Sequence, residues 1–215
     1  LLPSLIDVYD EPFADSSQIP TCFLSKLARS RVSVAMSGDG GDELFGGYNR
    51  YVWLPKICSA TKGVPKFALQ AFSNIIKSVP PDKFDRYLRT VMRGAPKSSR
   101  DHRWGDLVRK GASVLALPDE ISMYKSVIST WQNPSEIIAS GVYAEEHGDP
   151  EANEYQTQEF VQLMMMLDAQ GYLPDDILTK VDRAAMSVSL ETRMPFLDPS
   201  ISNFAWSLPN DFKVK

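Results

Sequence analysis

The run RVSVAM followed by SGDGGDELFGGY, Arg31 to Tyr48, constrains this chain more than any other stretch. Val32, Val34 and Met36 alternate at strand spacing, and Gly38, Gly40 and Gly41 follow at once. A strand that ends in a glycine turn and opens a helix is one step of a doubly wound α/β pattern, and such turns commonly hold phosphate. Just upstream, Leu24, Leu27 and Ala28 recur at helical spacing, which predicts an amphipathic helix leading into the strand. No second strand is evident. One strand makes no sheet, so the remaining strands are expected outside these residues.

The turn has the wrong charge for a bare phosphate. It carries Asp39, Asp42 and Glu43 and no lysine. A P-loop would need a Lys-Ser/Thr pair after its second glycine, where this chain has Gly46-Gly47-Tyr48. A dinucleotide fingerprint would need a third glycine, where Glu43 stands. What remains is a turn with approachable backbone amides and a set of carboxylates. Such carboxylates suit a Mg²⁺-bridged polyphosphate, or an ammonia or amine that must be held and deprotonated. A plainer alternative is that Asp39 or Asp42 caps the next helix, with Glu43 favouring its dipole. Capping accounts for the acids but not for the glycines beside them.

Composition narrows the partners. Among 215 residues the formal net charge is -4, which argues against a nucleic-acid or anionic-membrane binder held by bulk charge. No window has the apolar length of a membrane helix, and no signal peptide is visible. Cys22, Cys58, His102 and His147 are scattered, without zinc spacing, and fit a reducing, cytoplasmic setting. The chain opens without an initiator methionine and closes on LPNDFKVK, so it is read as a piece of something longer.

Three blocks follow along the chain. Residues 1–54 hold the strand and the acidic turn. Residues 55–150 read as short helices punctuated by proline and glycine: FALQAFSNIIKSV stopping at Pro80-Pro81, KFDRYLRTVMRG ending on Gly94, and helices opened by Asp119 and by Asn133-Pro134. The basic stretch RGAPKSSRDHRW reads as a solvated loop. Residues 151–215 open with a helix expected to end at Gly171. A new helix is expected to start with Pro174 at its first position, and Asp198-Pro199 caps a last one. Lys180 and Arg183 lie three apart on the middle helix and can share a face. They either pair with Asp176 and Asp182 or meet an anion such as a leaving pyrophosphate.

SGDGGDELFGGY together with YLPDDILTKVDRAAMSVSLETRMPFLD resembles the synthetase domain of glutamine-dependent asparagine synthetases, and DEPFADSSQIPT near the start fits the same family. The resemblance implies an ATP pyrophosphatase fold of the adenine nucleotide α-hydrolase type, a Rossmann-like parallel sheet with helices on both faces. The chain itself would be mainly helical, with one or few strands. It further implies Mg²⁺-ATP-dependent adenylation of aspartate, then attack by ammonia that a separate N-terminal glutaminase domain releases from glutamine. On this resemblance Ser37, Gly38, Asp39 and Gly40 contact ATP, and Asp39 stands where the intermediate and ammonia are handled. Asp42 and Glu43 are the candidates for magnesium, and Lys180 or Arg183 for pyrophosphate. The family's SGG-x-D-S pyrophosphate loop and its terminal cysteine are absent, so these residues alone are expected to be inactive. A homodimer is an open assembly, with no nucleic acid and no membrane. Relatives of the same fold act on other carboxylates, including sugar acids in polysaccharide assembly. A non-catalytic helical interaction domain is the reading from another class.

Overall fold

The computed structural model describes residues 2–91, 104–129 and 159–214, which are mainly helical with a pair of parallel strands. They fall into two compact units, Leu1–Val52 with Asn153–Lys215, and Trp53–Ala152.

The first unit carries α1 (Leu2–Tyr9), α2 (Gln18–Arg29), β1 (Val34–Met36), α3 (Gly41–Phe45) and the first turn of α4 (Asn49–Thr61). Its later part holds α9 (Phe160–Leu167), a π-helical segment Asp168–Leu178, α10 (Thr179–Met186), β2 (Glu191–Arg193) and α11 (Pro199–Ser207). β2 pairs parallel to β1, with Val34 opposite Glu191, Ala35 opposite Thr192 and Met36 opposite Arg193. The sequence gives no sign of this second strand, because Glu-Thr-Arg is short and polar and its partner lies far upstream.

The helical expectation for α2 holds, but its buried face is the other one. Cys22 and Ser25 are buried while Leu24 and Leu27 are each 66% exposed. α2 packs on α10, and Cys22 shares a buried cluster with Ala184, which has no exposure. Small side chains on both helices permit a close approach that leucine would prevent. Tyr9 joins this core with Cys22 and Ala184 and stacks on Phe13 at 4.9 Å. Val32, Val34 and Met36 of the strand region also stay exposed.

A second expectation fails in the late helices. The chain does not break at Gly171, and Pro174 does not start a helix. α9 runs through the π-helical segment into α10, with Pro174 inside it. An α-helix would clash the proline ring against the carbonyl four residues back. The wider π turn relieves that clash, and Thr179 Oγ1 donates to the Pro174 carbonyl at 2.8 Å.

The second unit contains α5 (Lys66–Ser78), α6 (Pro81–Val91), α7 (Trp104–Leu115) and α8 (Glu120–Ile128). α7 packs against α5, α6 and α8, and buries Ala112 and Val114. Pro80-Pro81 separates α5 from α6 as the sequence predicts, and Asp119 caps α8 by accepting from Ser122 N at 2.8 Å. The expected Gly94 cap, the loop reading of residues 93–103 and the Asn133-Pro134 helix start lie outside the described residues.

Candidate active site

The acidic turn sits at the carboxyl end of β1, beside the carboxyl end of β2, where open parallel sheets take their ligands. Ser37 N extends the ladder by donating to the Arg193 carbonyl at 2.9 Å. The chain then folds back, with Gly41 N donating to the Gly38 carbonyl at 3.1 Å. Gly40 takes φ 86°, the value a type II turn asks of its third residue, and a Cβ there would lie 2.3 Å from Leu197 Cδ2. Among the described residues the amides of Gly38, Asp39 and Gly40 donate to no carbonyl. A Cβ on Gly38 would meet nothing within 4 Å, so that side of the turn is open.

The acids of the turn separate into distinct environments. The cap of α3 is Gly40, with no side-chain hydrogen bond, so neither Asp39 nor Asp42 is the capping residue. Asp39 is half-buried and accepts from the Ser37 hydroxyl at 2.7 Å. Asp42 is exposed. Glu43 is 1% exposed and accepts from the Tyr48 hydroxyl at 2.6 Å. Burial and then the Glu43 carboxylate push the Tyr48 hydroxyl far above its usual pKa, so it stays a donor. Glu43 is thus buried and engaged by Tyr48. Among the described residues no group of three or more Asp, Glu, His or Cys side chains converges to hold a metal unaided.

The two basic candidates face acids of the DEPFADSSQIPT segment. Lys180 is buried and pairs with Asp15, and its Nζ lies 3.7 Å from Asp176 Oδ1. Arg183 is half-exposed and pairs with Asp10 at 2.7 Å. Burial pushes the Asp15 carboxyl up, but hydrogen bonds from Lys180 and from Ser17 outweigh it and hold the group at about 2. Asp176 is raised, first by burial and then by the Asp15 charge, with Lys180 only partly offsetting them. Among the described residues no ion pair joins Lys180 or Arg183 to Asp39, Asp42 or Glu43. Arg183 also borders an open cavity of about 490 Å³ shared with Ser4, Asp7, Asp10 and Lys26.

The sequence reading omits several residues that matter here. Arg193 at the end of β2 pairs with Glu191 and, with Thr192, Met194 and Leu197, lines a second open cavity of about 450 Å³. Arg50 and the fully buried Asp168 form an ion pair at 2.9 Å. Spacing could not find either one, because their partners are distant in sequence or lie on an unrecognised strand.

A family model for asparagine synthase matches residues 1–215. Glutamine-hydrolyzing asparagine synthetase 1 of Bacillus subtilis (strain 168) is 29% identical over 224 residues, covering 100% of this chain and 31% of its own. A Mycobacterium tuberculosis (strain ATCC 25618 / H37Rv) protein provisionally named glutamine-hydrolyzing asparagine synthetase is 31% identical over 99% of this chain and 30% of its own. In a provisionally named glutamine-hydrolyzing asparagine synthetase 2 of Methanocaldococcus jannaschii, 41 residues are 61% identical, covering 19% of this chain and 8% of the other. The chain thus spans about three-tenths of the length of the first of these relatives. No solved structure matches it with significance.

Proposed function

The chain belongs to the asparagine synthase family, and on that premise we propose that, within a longer protein, it forms an amide at the expense of ATP. The acceptor carboxylate is aspartate or a close relative. Its oxygen attacks the α-phosphorus of ATP, and pyrophosphate leaves. Ammonia from glutamine then attacks the acyl carbon, AMP leaves with the bonding electron pair, and the amine's proton passes to a carboxylate. For aspartate the products are asparagine, AMP and pyrophosphate.

The observation that carries this reading is the turn itself. Among the described residues the amides of Gly38, Asp39 and Gly40 donate to no carbonyl, and the turn is open at Gly38, at the end of a parallel strand. They suit ATP phosphate oxygens, with Ser37 beside them. Asp39 is aimed by Ser37 and left free of capping, which suits a base for ammonia. Asp42, the exposed acid, would help to hold Mg²⁺, which would supply positive charge against the pyrophosphate. Arg183, half-exposed beside Asp10, is the cation that pyrophosphate could reach, whereas Lys180 is buried against Asp15 and Asp176.

The rest of the relatives' length would supply the remaining strands of a Rossmann-like sheet, a pyrophosphate loop and a glutaminase domain. Exposed Val34 and Met36 on β1 suit a sheet face that further helices would cover, and the two free thiols suit the cytoplasm. The test is a product analysis of the full-length protein with ATP, aspartate and glutamine, then with other carboxylates. Equal amounts of AMP, pyrophosphate and amide are expected. ADP and phosphate, or no turnover with any carboxylate, would overturn the reading. The 215 residues alone are expected to show no aspartate-dependent ATP–pyrophosphate exchange.

A further inference from the structure

Asp168 opens the π-helical segment, and its side chain has 0% exposure. Arg50, in the first turn of α4, meets it twice: Nε donates to Oδ2 at 3.1 Å, and Nη2 lies 2.9 Å from Oδ1. The Tyr51 hydroxyl also donates to Asp168 Oδ2. The guanidinium lies 3.8 Å over the Tyr48 ring, with the Tyr172 ring at 5.1 Å and the Tyr51 ring at 5.4 Å. Tyr48 in turn ends on Glu43 of α3, the helix that starts immediately after Gly40. An unbroken series of contacts therefore runs from the π-helical segment to the acidic turn.

A buried ion pair of this kind adds little stability over an apolar pair of similar size, because both charges lose water. What it adds is direction. A guanidinium fixed by two contacts to one carboxylate, and stacked on an aromatic face, has almost no freedom of orientation. The proposed chemistry gives neither Arg50 nor Asp168 a task of its own.

We propose that Arg50 and Asp168 are positioning residues, which hold α3 and the 38–41 turn in a fixed relation to the π-helical segment and α10. They act through the Tyr48 ring and the Tyr48–Glu43 hydrogen bond. The amides of the turn and the Asp39 carboxylate thereby keep one placement relative to the helix that bears Arg183. The catalytic consequence rests on the functional reading above; the mechanical consequence does not.

The experiment uses the full-length protein with Arg50→Lys, Tyr48→Phe and Asp168→Asn. Amide hydrogen exchange at residues 41–47 is measured alongside kcat and KM for ATP in amide formation. Exchange in that segment is expected to rise about tenfold in each variant while other segments stay within about twofold. kcat is expected to fall about 10- to 100-fold with KM for ATP within about twofold, the signature of misplaced rather than missing groups. Where Asp168→Asn does not fold, Tyr48→Phe, which removes one hydroxyl and keeps the ring, carries the test. Unchanged exchange at 41–47 in Tyr48→Phe and Arg50→Lys overturns the proposal, and so does loosening spread over the whole chain. A wild-type protein without amide-forming turnover sinks the functional reading alone, and the exchange measurement then decides the positioning role by itself.

Discussion

Lys180 pairs with Asp15 across 165 residues of sequence, fastening the DEPFADSSQIPT segment to the helix that carries both basic candidates. Tyr9 adds a second tie by donating to the Lys180 carbonyl at 3.2 Å. The buried lysine thereby ties two distant segments together, and its two acidic partners carry opposite pKa shifts.

Asp15 should make the chain acid-sensitive in a defined window. Its carboxyl is lowered from 3.8 to about 2, so its contribution is fully present above the unfolded value and is lost as pH falls. That contribution is about 2 kcal/mol, since one pH unit corresponds to about 1.4 kcal/mol. Denaturant midpoints of the wild type should therefore drop between pH 4 and pH 2. Asp15→Asn should be less stable at pH 7 and flatter across that window. An equally steep drop in the variant would place the acid sensitivity elsewhere.

Asp176 should behave in the opposite sense. Its folded pKa is raised, so it favours folding when protonated, and that contribution disappears as pH rises through the folded value. Once Asp176 loses its proton, its carboxylate stands beside the Asp15 charge, and among the described residues its buried Oδ1 has no hydrogen-bond partner. Asn at this position can donate to Asp15 without charge, as a protonated Asp176 would. Asp176→Asn is expected to raise the midpoint at pH 7, with the gain shrinking in acid. A loss of stability at pH 7 would mean that the second carboxylate is needed to hold Lys180.

These two acids show what spacing can and cannot reveal. Asp176 lies one helical turn before Lys180, so the sequence exposes it as a partner; Asp15 becomes visible only when α2 docks on α10. The same division runs through the fold. The β1 strand and its turn are local events, set by alternation and glycines, and they are legible. β2 is a strand only because β1 lies beside it. Gly171 and Pro174 are local punctuation that α9 and α10 override by widening one stretch into a π-helix. The face of α2 is decided by how closely two helices approach, so Cys22 and Ser25 outrank Leu24 and Leu27. Of the turn's acids, the sequence names Asp39, Asp42 and Glu43 alike, and only the fold distinguishes the buried Glu43 from the exposed Asp42.

That distinction predicts different magnesium behaviour. Glu43→Gln keeps an oxygen to accept from Tyr48, so amide formation by the full-length protein should retain at least about half its rate, at an unaltered Mg²⁺ requirement. Asp42→Asn should raise the Mg²⁺ concentration needed for half-maximal rate several-fold. A titration of Mg²⁺ at saturating ATP separates the two. A shift in Glu43→Gln and none in Asp42→Asn would reverse the assignment.

Gly40→Ala tests the turn without touching a charge. Its φ of 86° disfavours any Cβ, and the new methyl would press on Leu197 at 2.3 Å. Left-handed backbone alone costs about 1–2 kcal/mol for a residue with a side chain, and the overlap adds to it. Thermal unfolding should show a loss at least that large. A neutral variant would mean that the turn relaxes into another form and that its open amides are not held by Gly40.

Asp39→Asn bears most directly on the chemistry. Ser37 donates to Asp39 at 2.7 Å, and asparagine can still accept that bond through its carbonyl oxygen. Since Gly40 and not Asp39 caps α3, the substitution removes no helix cap and should change the unfolding free energy by only about a few tenths of a kcal/mol. An amide cannot take a proton from ammonia, so a base at this position would be lost outright. Amide formation in the full-length protein should fall about 10²- to 10⁴-fold, the usual range for a missing general base. ATP–pyrophosphate exchange should fall much less, because adenylation precedes the step that needs the base. Equal losses in both assays would assign Asp39 to nucleotide binding instead, and full activity would leave it no role beyond its contact with Ser37.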